Sequence, residues 1–137
     1  MSPMNSTLID SNVLIDLPDD ESEWRSWSDA MLQFCRDRGP VVINPIIFAE
    51  VSSGFTSVDL VEEIFPATML HRESLPWGAA FLAGQAFRVY RRRGGERRSP
   101  LPDFYIGAHA AVAGHTLLTR DARRYKHYFP KLRIISP

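Results

Sequence analysis

Cysteine is nearly missing: Cys35 is the single one in 137 residues. No disulfide can therefore form within the chain, and a reducing compartment, the cytoplasm, is expected. Long apolar runs are missing as well. None approaches the ~20 residues of a membrane-spanning helix, and Met1 to Ser6 lacks the basic and apolar regions of a secretion signal. No contact with a membrane is expected. Lysine is scarce, with Lys126 and Lys131 set against fourteen arginines. Arginine grips phosphate bidentately, so the bias suits a phosphate partner, although a high-GC genome produces the same bias. Histidine and cysteine at zinc-ligand spacing are lacking too: His109 and His115 are six apart, and His127 stands alone. His109 and His115 are read as structural.

What is present is ordinary for one globular domain over residues 1–137, at 45% apolar and 23% charged residues. The formal net charge of zero hides an asymmetry. Residues 1–70 carry twelve acids against three arginines, a balance of −9, and residues 71–137 carry four acids against thirteen basic residues, a balance of +9. Such polarity often marks a chain that meets a polyanion on one side.

Short apolar runs alternate with helical patterns. Strands are expected at Thr7 to Ile9, Val41 to Ile43, Ala67 to Leu70, Thr116 to Thr119 and Leu132 to Ile135. Helices are expected from Val13 behind a Ser11 or Asn12 cap, over Ser22 to Arg38, about Ile46 to Ser53, Val58 to Phe65, Pro76 to Arg92, Pro102 to Ala113 and Ala122 to Tyr128. The strands lack period-2 alternation. They therefore predict a mainly parallel sheet of about five strands covered on both faces, a three-layer α/β/α domain. Sites in such sheets form beyond the carboxyl ends of the strands.

Four acids are predicted on that edge. Asp10 follows the first strand, and Asp121 follows the Thr116–Thr119 strand with only Arg120 between them. Asp103 opens the helix before that strand. A helix of about eleven residues climbs ~16 Å and five strand residues return about as far, so Asp103 and Asp121 share an edge. Glu50 stands six residues past Asn44, ~9 Å up its helix. Helical side chains tilt toward the N-terminus, so a long Glu reaches back where an Asp would not. Carboxylates crowded this way cannot all stay ionised without a cation. Mg²⁺ or Mn²⁺ resolves the conflict, and a hard divalent ion among acids points to phosphodiester chemistry by an activated water.

At this point the residues resemble a known family. Asp10-Ser11-Asn12-Val13-Leu14-Ile15-Asp16, Glu50 in Phe48-Ala49-Glu50-Val51, Pro102-Asp103-Phe104-Tyr105-Ile106-Gly107-Ala108-His109-Ala110 and Leu118-Thr119-Arg120-Asp121 look like the four ordered motifs of PIN-domain ribonucleases. The length resembles the VapC toxins of type II toxin–antitoxin systems. The resemblance implies an endoribonuclease needing Mg²⁺ or Mn²⁺ and leaving a 5′-phosphate and a 3′-hydroxyl. It also implies a VapB antitoxin that blocks the site, and a homodimer. By the same likeness Asp10, Glu50, Asp103 and Asp121 hold the metal and orient the water, with Ser11, Asn12 and Thr119 in support. Some relatives carry a further acid after the fourth motif, where this chain reads Ala122-Arg123-Arg124-Tyr125; the number of ions, one or two, stays open.

Other readings stand beside these. Asp10, Asp103 and Asp121 could each serve an ordinary helix start. Asp16, Asp19 and Asp20 read as a solvated acidic loop. Arg120 is a candidate phosphate contact. Arg91, Arg92, Arg93, Arg97 and Arg98 either line an RNA path, dock an acidic partner or form a solvated helix end. A housekeeping PIN nuclease in RNA maturation, or a non-catalytic PIN fold that binds RNA or protein, would share the fold. A phosphatase of the haloacid dehalogenase type needs an Asp where Asn12 stands, and an amide cannot shuttle that proton. A phospho-receiver domain wants a Lys on the site edge, and both lysines come too late.

Overall fold

The computed structural model describes residues 5–95 and 100–137. Each central strand is three residues long. β1 (Thr7–Ile9) and β2 (Val41–Ile43) are buried throughout, and β4 (Thr116–Leu118) is buried at Leu117 and Leu118. Two-residue edges, β3 (His71–Arg72) and β5 (Ile134–Ile135), complete a five-stranded sheet of order β3-β2-β1-β4-β5. All four pairings are parallel, with Leu8 opposite Val42 on one side and Leu117 on the other.

The connections explain the layers. From β1 the chain passes through α1 (Ser11–Asp16) and α2 (Arg25–Arg36) to β2, then through α3 (Pro45–Ser52) and α4 (Val58–Ile64) to β3. It crosses back through α5 (Trp77–Arg92) and α6 (Leu101–Ala113) to β4, and α7 (Arg123–Tyr128) leads to β5. Right-handed crossovers put α1–α4 on one face and α5–α7 on the other. The packing agrees: α1 meets α2 and α3, and α3 meets α4, whereas α5 packs along α6 and α6 meets α7. The strand order reverses between β1 and β4, the place where open parallel sheets leave a crevice at their carboxyl edge.

Local chemistry sets the helix starts that face this edge. Asn44 caps α3 by accepting the Ile47 N–H at 2.9 Å, and Pro45 fills the first helical position. Gly114 closes α6 at φ 76°, a left-handed turn that suits glycine. α6 is apolar almost all round; Phe104, Ile106, Ala108 and Ala110 are fully buried. Edge-to-face contacts tie it to its neighbours, with Phe104 4.9 Å from Tyr128 and 5.7 Å from Tyr90 between ring centroids. Among the described residues no helix is long and apolar enough to cross a membrane.

Four expectations need correction. Ala67 to Leu70 is not a strand. The Met69 and Leu70 N–H groups both bond to the Pro66 carbonyl in a turn, and pairing starts at His71, whose polar, exposed sequence carries no apolar signal. The helix expected over Ser22 to Arg38 is shorter, because Ser22 is drawn to Asp16 and its hydroxyl accepts the Trp24 N–H. The final strand is only Ile134–Ile135. The first helix begins at Ser11 with Asp10 itself as the cap.

Gly107 shows how tightly α7 is seated. A Cβ there would stand 2.5 Å from the buried Phe129 ring and 3.0 Å from Tyr125. Gly107→Ala is expected to cost on the order of 1–3 kcal/mol by overpacking, read as a lower urea midpoint; an unchanged midpoint would show that α7 yields freely.

Candidate active site

The first functional side chain is also a cap. Asp10 leaves β1, accepts the Ser11 N–H at 2.8 Å and is 4% exposed. Its second oxygen accepts from Thr119 Oγ1 at 2.8 Å and from the Tyr125 hydroxyl at 2.9 Å. The donors are all neutral. Asn12 clamps the same corner. Its Nδ2 donates to Thr119 Oγ1 at 3.2 Å, and its Oδ1 accepts the Arg120 N–H at 3.1 Å. Thr119 thus spends its hydroxyl proton on Asp10 while accepting from Asn12 and from the Asp121 N–H at 3.2 Å.

The other acids come from different elements. Glu50, in the second turn of α3, reaches back so that its Oε1 accepts from Ser11 Oγ at 2.9 Å. Asp103, in the first turn of α6, pairs with Arg124 Nη1 at 2.8 Å. Asp121, exposed after β4, accepts the Arg123 N–H at 3.3 Å. Asp10, Asp103 and Asp121 line one cavity of about 240 Å³ together with Asn12, Arg123, Arg124 and Tyr125. Glu50 joins them electrostatically, facing Asp10 and Asp103. Three of the four carboxylates therefore share one cavity, and Glu50 stands beside Asp10 and Asp103 without lining it.

The gathering is unfavourable by itself. Burial, with the Asp103 charge adding to it, pushes the Asp10 carboxyl above its ordinary range despite the hydrogen bonds it accepts. Burial, then the charges of Asp10 and Asp103, raise Glu50, which the Ser11 hydroxyl only partly offsets. Burial and the nearby carboxylates hold the Tyr125 hydroxyl well above its usual value, so it remains a proton donor to Asp10. Among the described residues, Arg124 is the only cationic side chain paired directly with any of the four acids. Hard oxygen donors with so little balancing charge are the kind a divalent cation takes. Their ligand atoms stand farther apart than those of Glu73, His109 and His115, the one such group among the described residues within 4.8 Å of one another, so the acids would draw together around an ion.

Other candidates are placed differently. Arg120 lies 2.9 Å from Asp16 and its guanidinium sits 5.8 Å from the Trp24 ring. Asp16 is not solvated: it is 4% exposed and accepts from Ser22 Oγ at 2.9 Å and Ser28 Oγ at 2.7 Å. Arg120 is thus held away as a buried carboxylate's partner. Arg91, Arg92 and Arg93 are exposed at the end of α5, with Arg93 against His127; Arg97 and Arg98 lie outside the described residues.

Two features had little signal in the sequence. Tyr125 and Arg124 follow the fourth acid by four and three residues, a spacing that puts them on the first turns of a short helix. A buried tyrosine needing a partner was the available clue. The second feature is a carboxylate–histidine cluster, in which Glu73 Oε1 lies 3.1 Å from His109 Nε2 and 2.7 Å from His115 Nε2. Its outer partners argue against a metal. Asn44 Oδ1 is used by the Ile47 N–H, so Asn44 presents its NH₂ to His109 Nδ1 at 2.9 Å. His109 Nδ1 must accept, so Nε2 carries the proton toward Glu73 rather than a free lone pair. Burial, then repulsion from His115, keeps His109 below its ordinary value against the pull of Glu73. Burial alone would raise Glu73, but the His115 and His109 contacts outweigh it and hold it low. The cluster ties the β3–α5 connection to α6 and, through Ser6 and His115 at 2.6 Å, to β1.

The PIN domain family matches this chain over residues 7–130. No curated protein matches it in sequence. Among solved structures it is similar to a chain of VapBC2 from Rickettsia felis bound to a DNA fragment from their promoter. The TM-score there is 0.74 at 15% identity, covering 96% of this chain and 98% of that one. DNA-bound VapBC from Salmonella typhimurium gives 0.70 at 22% identity, with 96% and 97% covered. FitAcB from Neisseria gonorrhoeae gives 0.67 at 20% identity, with 94% and 96% covered. At such identities the likeness is one of fold.

Proposed function

Because this chain belongs to the PIN domain family, we propose that it is a divalent-cation-dependent endoribonuclease of the VapC toxin type, acting in the cytoplasm and neutralised by a VapB-type antitoxin. The observation that carries the reading is the one polar pocket lined by Asp10, Asp103 and Asp121, from three separate segments, with Glu50 near enough to feel the charges of Asp10 and Asp103. The similar structures are VapBC and FitAcB complexes, which supports an antitoxin partner.

The residues divide the work. Asp10, Asp103, Glu50 and Asp121 would hold a Mg²⁺ or Mn²⁺ ion and orient the attacking water, and a bound ion would supply charge for the phosphoryl oxygens and lower the pKa of that water. Asp10 is fixed by Ser11, Thr119 and Tyr125, so its oxygens keep one direction. Ser11 fixes Glu50, and Asn12 holds the loop carrying Asp121 against α1. Exposed Arg88, Arg91, Arg92, Arg93 and Lys126 line α5 and α7 on the basic half of the chain and give an RNA backbone its counter-charge. Homodimerisation is read onto α5, where Trp77 is 91% and Phe81 70% exposed one turn apart.

The test is purified protein on defined RNAs with Mg²⁺, Mn²⁺ or EDTA. Cleavage to 5′-phosphate ends is expected with either ion and none in EDTA. Cleavage that persists in EDTA, and equally in Asp103→Asn, would contradict the reading.

A further inference from the structure

Arg123 and Arg124 line the cavity at the acidic edge, whereas Arg120 is turned from it, its Nε 2.9 Å from an Asp16 side chain 5% exposed but making no hydrogen bond, and its guanidinium 5.8 Å from the Trp24 ring. Arg124 has a ring contact of similar length, 5.9 Å to Tyr90, but a more exposed ion pair. Its side chain is 42% exposed, its partner Asp103 35%, and one Nη1 contact at 2.8 Å holds them together. Exposed pairs of this kind are weak. The single contact leaves most of the five guanidinium donors free.

The backbone beneath Arg124 is nevertheless fixed. Tyr125, the next residue, is 2% exposed and bonded to Asp10 at 2.9 Å, and α7 is seated against Gly107 through Phe129. Arg124 therefore projects from an anchored backbone at the cavity that Asp10, Asp103 and Asp121 line, so a change of partner would need only side-chain rotation. A guanidinium and a divalent ion compete for the same Asp103 carboxylate, because each neutralises the same charge. The loser, if it is Arg124, is left on the rim with its donors facing solvent.

We propose that Arg124 is a two-position residue, pairing with Asp103 until a divalent ion takes that carboxylate and then turning to a phosphate of the bound RNA. The proposal rests on the nuclease reading. It makes Arg124 a positioning residue that couples ion loading to substrate grip, so that the phosphate contact is offered only by the loaded site.

Mn²⁺ binding by calorimetry without RNA tests it, on wild type, Arg124→Gln and Arg123→Gln. Arg123 lines the same cavity and carries the same charge, but only its backbone N–H bonds to an acid of the quartet. Arg124→Gln is expected to tighten Mn²⁺ binding about threefold to fivefold, the scale of an exposed ion pair, and Arg123→Gln to change it less than about twofold. In cleavage, Arg124→Gln raises KM about fivefold or more with kcat nearly kept, and Arg124→Lys restores part of the loss. Equal Mn²⁺ affinity in wild type and Arg124→Gln, or equal gains in both glutamine variants, overturns the two-position role. A wild type that binds no Mn²⁺ and cleaves no RNA overturns the nuclease reading itself, which distinguishes the two failures.

Discussion

Asp10→Asn is expected to lower RNA cleavage by about a thousandfold or more while leaving the protein folded. The carboxylate is the most enclosed of the four and faces the pocket with neutral donors behind it. Losing its charge removes several kcal/mol of charge stabilisation for a bound cation and the reacting phosphate, and each 1.36 kcal/mol is tenfold in rate. The shape survives, because an amide oxygen still accepts the Ser11 N–H and the Tyr125 hydroxyl can rotate to accept from the new NH₂; Thr119 Oγ1, which already accepts from Asn12 and the Asp121 N–H, loses its acceptor there at a cost of about 1 kcal/mol. Gel assays with Mn²⁺ beside circular-dichroism melts check both halves. Activity within tenfold of wild type at an unchanged melt would remove Asp10 from the chemistry.

The second large effect is on stability. Asp10 and Glu50 have native pKa values above their ordinary ones. The native state therefore holds protons that the unfolded chain has released, and their contribution is fully present at low pH and lost as pH rises through the native values. His109 and Glu73 work the other way. Both are depressed in the native state, so each contributes stability that is lost as pH falls: His109 from its ordinary histidine range downward, Glu73 in more acidic solution. The whole-protein melt mixes these signs, and a difference separates them. Relative to wild type in EDTA, Glu50→Gln is expected to gain stability as pH rises above the carboxylate range. Mn²⁺ at about a hundred times its Kd is expected to add about 2.7 kcal/mol to wild type at neutral pH, and far less to Asp10→Asn. Identical wild-type melts in Mn²⁺ and EDTA would contradict the ion-binding pocket.

Much of this architecture was legible because strong local signals coincided with the fold. Val41-Val42-Ile43 followed by Asn44-Pro45 states a buried strand, a cap and a helix start within five residues, and all three are found. Strand and helix rise alone predict that Asp10, Asp103 and Asp121 share an edge, and these three line one cavity; Glu50, expected with them, stands outside its lining. Edge elements were less visible: β3 is His71–Arg72, exposed and polar, held by pairing with β2 rather than by its own pattern. Asp16 escaped for a related reason. Its partners Ser22, Ser28 and Arg120 are six, twelve and 104 residues away, and a charge beside Asp19 and Asp20 looks solvated until the fold closes over it. The Glu73–His109–His115 cluster has no ligand-like spacing and exists only through tertiary contact.

The most direct test is anomalous diffraction from crystals soaked in Mn²⁺, since it separates the acidic pocket from the Glu73–His109–His115 cluster. One strong peak between Asp10 and Asp103, missing in Asp10→Asn crystals, is the predicted result. A peak at Glu73, His109 and His115 with none beside Asp10 would contradict the account.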